Sequence, residues 1–466
     1  MRVQYPLPLS RLSRLTVRAT VFLLFVCHFY YHMQQALILI PPKSKAKARE
    51  PAKAKDHSGN LFVLPQKTPE EKVNKFYAWG DPNGINITSL LAYYEWLALE
   101  GIRKEKWSFD NFPLVPVWIS KDTQSKRFIV KISMASFRKI PNAKLLWGDR
   151  AVPMLNFMVD ALNRPTNNHR KRKPPRHDTT KLFQLLEQAY DIPFLVDFGD
   201  VPSCGNNAFS TSSIVSPGHK LYNIQLPLFG MCRPRTCNYS FPLPTYLGLR
   251  FSKSGTNEWD NYFQNSDSLY PWKKKTKAGV WRGATTGLKW TPNRAWLVEQ
   301  GASAPSMIDA EFAMNNKRIP FEDFQNFKAV IDIDGNGWSG RFLGLLCMNS
   351  VTLKIRSQFF DYNADQLKEW THYIPYDPKA FSDGIHNVSF PEFVENILKD
   401  ENDAVLRKIV SNARVWCREH MSLLSIQDDL LDIFASFVAE LDKNDASWEH
   451  KWMSSFSDIF DAQTFQ

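Results

Sequence analysis

Three short segments of this 466-residue chain carry side chains whose types and spacing could do chemistry. The first is PWKKKTKAGVWRGATTG, residues 271–287. Arg282 ends the apolar run AGVW, and Gly283, Thr285, Thr286 and Gly287 follow it. A guanidinium offers a fork of donors matched to phosphate oxygens. Glycines let backbone N–H groups come close, and threonine hydroxyls add donors. Lys273, Lys274 and Lys275 read as a solvated approach face that raises the local positive potential. The second segment, DIDGNGWSGR at 332–341, repeats the pattern in Ser339, Gly340 and Arg341. Two separate strand ends offering arginine beside small residues suit a diphosphate. The third is FGDVP at 198–202, where Asp200 lies just past a buried-strand pattern. Open α/β sheets place ligand chemistry there, although an aspartate fixing a turn before proline has the same look.

Other chemistries compete for the second segment. Residues 335–340 match G-x-G-x-x-G, the phosphate loop of a dinucleotide fold. The next strand ends in Lys354, Ile355 and Arg356, with no acid for a ribose hydroxyl, but Arg356 could suit a 2′-phosphate. An NADP-dependent oxidoreductase is therefore the rival reading. Asp332 and Asp334 form a D-x-D triplet whose side chains share one strand face and could hold a divalent metal. Arg341 at the same loop can neutralise a diphosphate directly, so no metal site is assigned. Cys232 and Cys237 lack the nearby second ligand pair that zinc requires.

The elements that must position these groups are legible. Residues 181–202 read as a short amphipathic helix leading into the strand FLVDF. FKAVIDI at 327–333 is a strand, GRFLGLLCM at 340–348 a short helix that Ser339 can cap, and SVTLKI at 350–355 a second strand. This is a βαβ unit, hence parallel sheet. Residues 402–442 read as one long amphipathic helix, with Leu406, Ile409, Val410 and Ala413 at core spacing.

Composition sets the frame. With 44% hydrophobic and 14% aromatic residues, wholesale disorder is excluded and two domains plus an extension are affordable. The net charge is +11, but much of the excess falls in 43–55 and 164–177, which read as a linker and a surface loop and not as nucleic-acid contacts. Four arginines precede a mostly apolar run at 19–40, long enough to span a bilayer. A cleaved signal sequence is the rival. Sequons at Asn86, Asn238 and Asn387 favour a luminal body. There Cys204, Cys232, Cys237, Cys347 and Cys417 would form one or two disulfides of undetermined connectivity. The closing DAQTFQ is not a KDEL-like tail, so nothing in it suggests receptor-mediated return, and the expected compartment is the Golgi or endoplasmic reticulum membrane.

Four motifs, in order, resemble glycosyltransferase family 90, the Rumi-like protein O-glucosyltransferases and fungal capsule-associated xylosyltransferases. They are FLVDFGDVP, PWKKKTKAGVWRGATTG, DGNGWSGRFLGLLCMNSVTLK and WTHYIP at 370–375. The resemblance covers roughly residues 185–425. It implies an α/β, GT-B-like fold, with two Rossmann-like domains facing across a cleft. It implies a metal-independent, inverting transfer of glucose or xylose from a UDP-sugar to a hydroxyl of a glycan or glycoprotein. No cofactor beyond the UDP-sugar donor is expected, and no nucleic acid. Asp200 resembles the general base, and Arg282 and Arg341 resemble the diphosphate arginines. Ser339 falls near the same phosphates, and Gly283, Thr286 and Gly340 complete the expected donor set. Cys347 matches a cysteine that is disulfide-bonded in some relatives, but no partner stands upstream in FQNFKAVID.

The expected organisation is a cytosolic tail (1–18), a signal-anchor (19–40), a basic stem (41–60), an acceptor-side domain (61–260), a nucleotide-sugar domain (261–425) and a helical tail (426–466). That arrangement is a type II membrane protein with a luminal body. A non-catalytic glycan-binding relative is the remaining alternative.

Overall fold

The computed structural model describes residues 114–122, 124–138, 143–164, 179–187, 192–199, 228–234, 240–244, 246–287, 292–314, 317–357, 359–378, 388–444 and 462–465. The chain divides into two units, Met1–Leu61 and Phe62–Gln466. Every described residue belongs to the second. The expected anchor, the stem, the three sequons and Asp200 lie outside the described residues. Among the described residues, no helix is long and apolar enough to cross a membrane.

The strands of the two larger sheets begin with β1 (Leu114–Lys121), β2 (Phe128–Ser133), β3 (Ile192–Asp197), β4 (Leu228–Gly230) and β5 (Ser240–Pro242). Five more follow: β6 (Thr276–Gly283), β7 (Ile308–Phe312), β8 (Phe327–Asp332), β9 (Val351–Ile355) and β10 (Ile374–Tyr376). The last is β11 (Ala462–Phe465). They form a six-stranded mixed sheet in the order β11-β2-β1-β3-β4-β5 and a five-stranded sheet in the order β10-β9-β8-β6-β7. Every pairing in the second sheet is parallel. Its central strands are buried on both faces, and all five residues of β9 are buried. That is why VTLKI and KAVID read as nearly continuous apolar runs and not as alternating ones.

The C-terminal region returns to the first sheet. Phe434 and Phe437, on helix Leu423–Asn444, pack against Phe194 and Phe229 with ring centroids 5.3 and 5.1 Å apart, and β11 pairs with β2. The single helix expected over 402–442 is two helices, Asp403–His420 and Leu423–Asn444. The chain at Lys253 inserts between them: its N–H donates to Met421 O (3.1 Å) and its carbonyl accepts from Leu423 N (2.9 Å). Ser422 then caps the second helix by accepting from Ser425 N at 3.2 Å.

Two further expectations need correction. Arg282 does not follow its strand but lies within it, because β6 continues to Gly283. Lys273 and Lys274 are exposed as expected, whereas Lys275 is only 6% exposed. Burial of Trp272 fixes the turn at Trp272–Lys274 and points the third lysine inward. Its ammonium donates to Gln325 O and, at 3.3 Å, to Ser350 Oγ. Cys347 does find a partner, downstream: its disulfide with Cys417 ties the short helix Phe342–Leu346 to helix Asp403–His420.

Candidate active site

Strands β6 and β8 are parallel neighbours, so the loops that leave them emerge at one sheet edge. The two loops touch. Gly287 has φ +78°, and a Cβ there would stand 2.3 Å from Gly335 O, so the contact admits no side chain. Gly287 N–H donates to Asn336 Oδ1 at 3.0 Å. Arg294 fastens the pair. It opens helix Arg294–Ser303, whose cap Asn293 accepts from Trp296 N at 3.0 Å, and its side chain folds back over the loops. Nε donates to Asp334 O (3.0 Å), and Nη1 to Ala284 O (3.1 Å) and Thr286 Oγ1 (2.6 Å).

Arg294 was not singled out from the sequence. The available signal was its placement: an arginine in a helix's first turn opposes the helix dipole and needs another reason to be there.

Trp281 forms the floor between two cations. Its ring centroid is 5.7 Å from the Arg294 guanidinium and 5.9 Å from that of Arg341. The ring also runs beneath Gly283, where a Cβ would lie 2.4 Å from a ring carbon, so this glycine admits the tryptophan. Arg341 donates from Nη1 to Arg282 O, while its Nη2 is buried without a hydrogen-bond partner. Burial pushes the Arg341 pKa down, and the Asp332 carboxylate acts to restore it. An unsatisfied buried guanidinium nitrogen costs free energy until an acceptor arrives.

Arg282 is differently employed. Its Nε donates to Lys317 O (3.0 Å), Nη1 to Asp309 O (2.8 Å) and Trp281 O (2.9 Å), and Nη2 pairs with Asp309 Oδ1 at 2.8 Å. Its guanidinium thus joins β6 to β7, and its carbonyl positions Arg341.

The carboxylates of the D-x-D triplet are engaged from within the fold. Lys354 donates to Asp332 Oδ2 and lies 3.4 Å from Asp334 Oδ1, and Ser357 Oγ donates to Asp334 Oδ2 at 2.7 Å. Burial opposes the lysine's charge, but the two aspartates outweigh it and hold the pKa above the ordinary value. Ser339 does not cap the following helix. Its hydroxyl turns to Asp332 Oδ1, because a carboxylate with no solvent exposure needs donors close at hand. Among the described residues, no group of three or more His, Cys, Asp or Glu side chains could hold a metal ion. The helix after the glycine-rich loop has five residues, Phe342–Leu346, well short of the crossover helix of a dinucleotide fold. Tyr373 of the WTHYIP motif packs edge-on against Phe342 at 5.4 Å, next to Arg341.

These groups border a cavity of about 690 Å³, within the usual size range of a small-molecule site. Arg282, Gly283 and Arg341 line it, together with Arg294. Arg250, Lys253 and Arg318 bring the lining to six cations against one acid, Glu322, so the cavity favours an anion. Thr286 and Ser339 stand behind the lining as supports, and Gly340 places Arg341 without bordering the cavity. Near Asp200, the described chain ends at Gly199, whose N–H donates to Asp197 Oδ1 at 2.7 Å and so fixes the start of that loop.

A comparison with known families matches residues 151–450, well over half of the chain, to Glycosyl transferase family 90. The chain belongs to this family. Among curated proteins it is similar to human protein O-glucosyltransferase 1, 24% identical over 208 residues that cover 41% of this chain and 48% of that protein. Protein O-glucosyltransferase 2 of Danio rerio is 26% identical over 248 residues, 50% of this chain and 44% of that protein. O-glucosyltransferase rumi of Drosophila melanogaster is 23% identical over 192 residues, 37% of this chain and 44% of that protein. The chain spans about half the length of the curated relatives it matches. The cavity bordered by Arg294 and Arg341 has the composition of a site for an anion.

Proposed function

We propose that this chain transfers a sugar, glucose or xylose, from a UDP-sugar to a hydroxyl of a glycan or glycoprotein, by a metal-independent inverting reaction. The observation that carries the reading is Arg341, which lines a cavity rich in cations at the C-terminal edge of a parallel sheet and whose buried Nη2 has no hydrogen-bond partner. A diphosphate oxygen completes that nitrogen. As the glycosidic C–O bond breaks, charge builds on the leaving UDP, and preorganised donors stabilise it most at that moment.

The acceptor hydroxyl is a weak nucleophile, and Asp200 takes its proton as the new bond forms. Arg294, Gly283 and the neighbouring backbone complete the diphosphate cradle. Arg282 contributes through its carbonyl hold on Arg341. Thr286, Ser339 and Gly340 fix the loops that carry these groups. The two sheets correspond to the halves of a GT-B arrangement. The apolar run at 19–40 anchors the protein as a type II enzyme of the Golgi or endoplasmic reticulum membrane, with the body in the lumen.

The deciding experiment measures UDP release by the chain across UDP-glucose, UDP-xylose and other donors, with and without chelator. Release from one donor, unaffected by chelator and lowered about 10²-fold or more in Asp200→Asn, supports the reading. Absence of UDP binding, or full activity in Asp200→Asn, overturns it.

A further inference from the structure

We propose that the cavity accepts a second anionic group besides the diphosphate, a carboxylate, sulfate or phosphate borne by the transferred sugar or by the acceptor. The inference rests on the UDP-sugar reading and deepens it. A diphosphate is served by Arg341, Arg294 and the loop N–H groups at one sheet edge. Arg250, Lys253 and Arg318 border the same cavity from other elements, the end of helix Tyr246–Phe251 and the residues after β7. None of these three forms an ion pair within the described residues. The Lys253 ammonium instead stands over the rings of Tyr262 and Trp259, at 4.9 and 5.6 Å from their centroids.

The acids nearby are already engaged. Glu322 accepts from Tyr262 Oη (3.1 Å) and Gln325 Nε2 (3.0 Å). Glu258, whose carboxylate feels Lys253, accepts from Ser254 N at 3.1 Å. Arg250 and Arg318 are exposed and Lys253 is half-buried; a neutral hexose gains nothing from their charge, whereas an anion seated beside them is attracted by all three. A general steering role differs in its signature, because steering helps UDP itself as much as any other anion.

The test uses the full chain and titration calorimetry. One arm compares UDP-glucose with UDP-glucuronate. The other compares glucose with glucuronate as ligands of the UDP-loaded protein. In one arm the acidic member binds at least about tenfold more tightly, and Arg250→Gln combined with Arg318→Gln abolishes that preference while UDP alone binds within about twofold of wild type. Equal binding of acidic and neutral members in both arms, with UDP bound normally, overturns this inference alone. A double variant that weakens UDP as much as the acidic ligand overturns it too, assigning these cations to the diphosphate. A wild-type chain that fails to bind UDP removes the nucleotide-sugar reading and this inference together.

Discussion

Arg341 donates from Nη1 to the carbonyl oxygen of Arg282, joining the end of β6 to the loop after β8 through a side chain that reaches the cavity. The two arginines are therefore not equivalent. Arg282 spends its guanidinium on Asp309 and backbone carbonyls, whereas Arg341 keeps a buried nitrogen open.

That asymmetry makes Arg341 the residue to test first. Arg341→Lys keeps a cation beside Asp332 but loses the forked donors, so kcat/KM for UDP-sugar turnover is expected to fall about 10²-fold or more. Steady-state kinetics measures the fall, and circular dichroism checks that the fold is retained. A lysine variant with wild-type kinetics would remove Arg341 from the donor site.

Gly287 is where backbone geometry tolerates no substitute. In Gly287→Ala the methyl group meets Gly335 O, and a non-glycine residue is placed at φ +78°. The expected cost is about 1–3 kcal/mol of stability, with weaker UDP binding because the two loops are forced apart. Thermal melts with and without UDP read both effects.

The disulfide between Cys347 and Cys417 closes a chain segment with a sequence separation of 70, and Cys347 also borders the cavity. Chain-entropy reasoning puts its stabilisation at about 4 kcal/mol. Cys417→Ser is expected to lower the denaturant midpoint accordingly. The same loss should appear in wild type under reducing conditions, and reductant should leave the variant unchanged.

Lys275 gives a pH dependence. Burial first, then the Arg414 cation, push its pKa down to about 7. Between that value and the ordinary lysine range the unfolded chain binds the extra proton, so stability rises with pH across this window. Lys275→Met lacks the effect. Wild type should gain stability relative to the variant as pH climbs from about 7 to 10, read as the difference in Tm. A difference that does not change with pH would show that the buried ammonium keeps an ordinary pKa.

The linear chain by itself determined much of this protein. The βαβ unit around β8 and β9 was legible, because apolar runs bounded by a glycine-rich loop have few other solutions. The family was legible in four ordered motifs, as was the gathering of Gly283 and Arg341 at one sheet edge. What folding decided was which polar groups face each other. The Lys354 cation on the D-x-D carboxylates and the Asp309 partner of Arg282 join residues from different strands, and the Ser339 hydroxyl folds back from its loop onto Asp332. Arg294 took its role from a fold-back over two loops, and Lys275 turned inward beside a buried tryptophan. Local sequence fixes secondary structure through periodicity and propensity. A buried charge chooses its partner only after the strands are aligned, since its low-dielectric surroundings are created by residues far away in the chain.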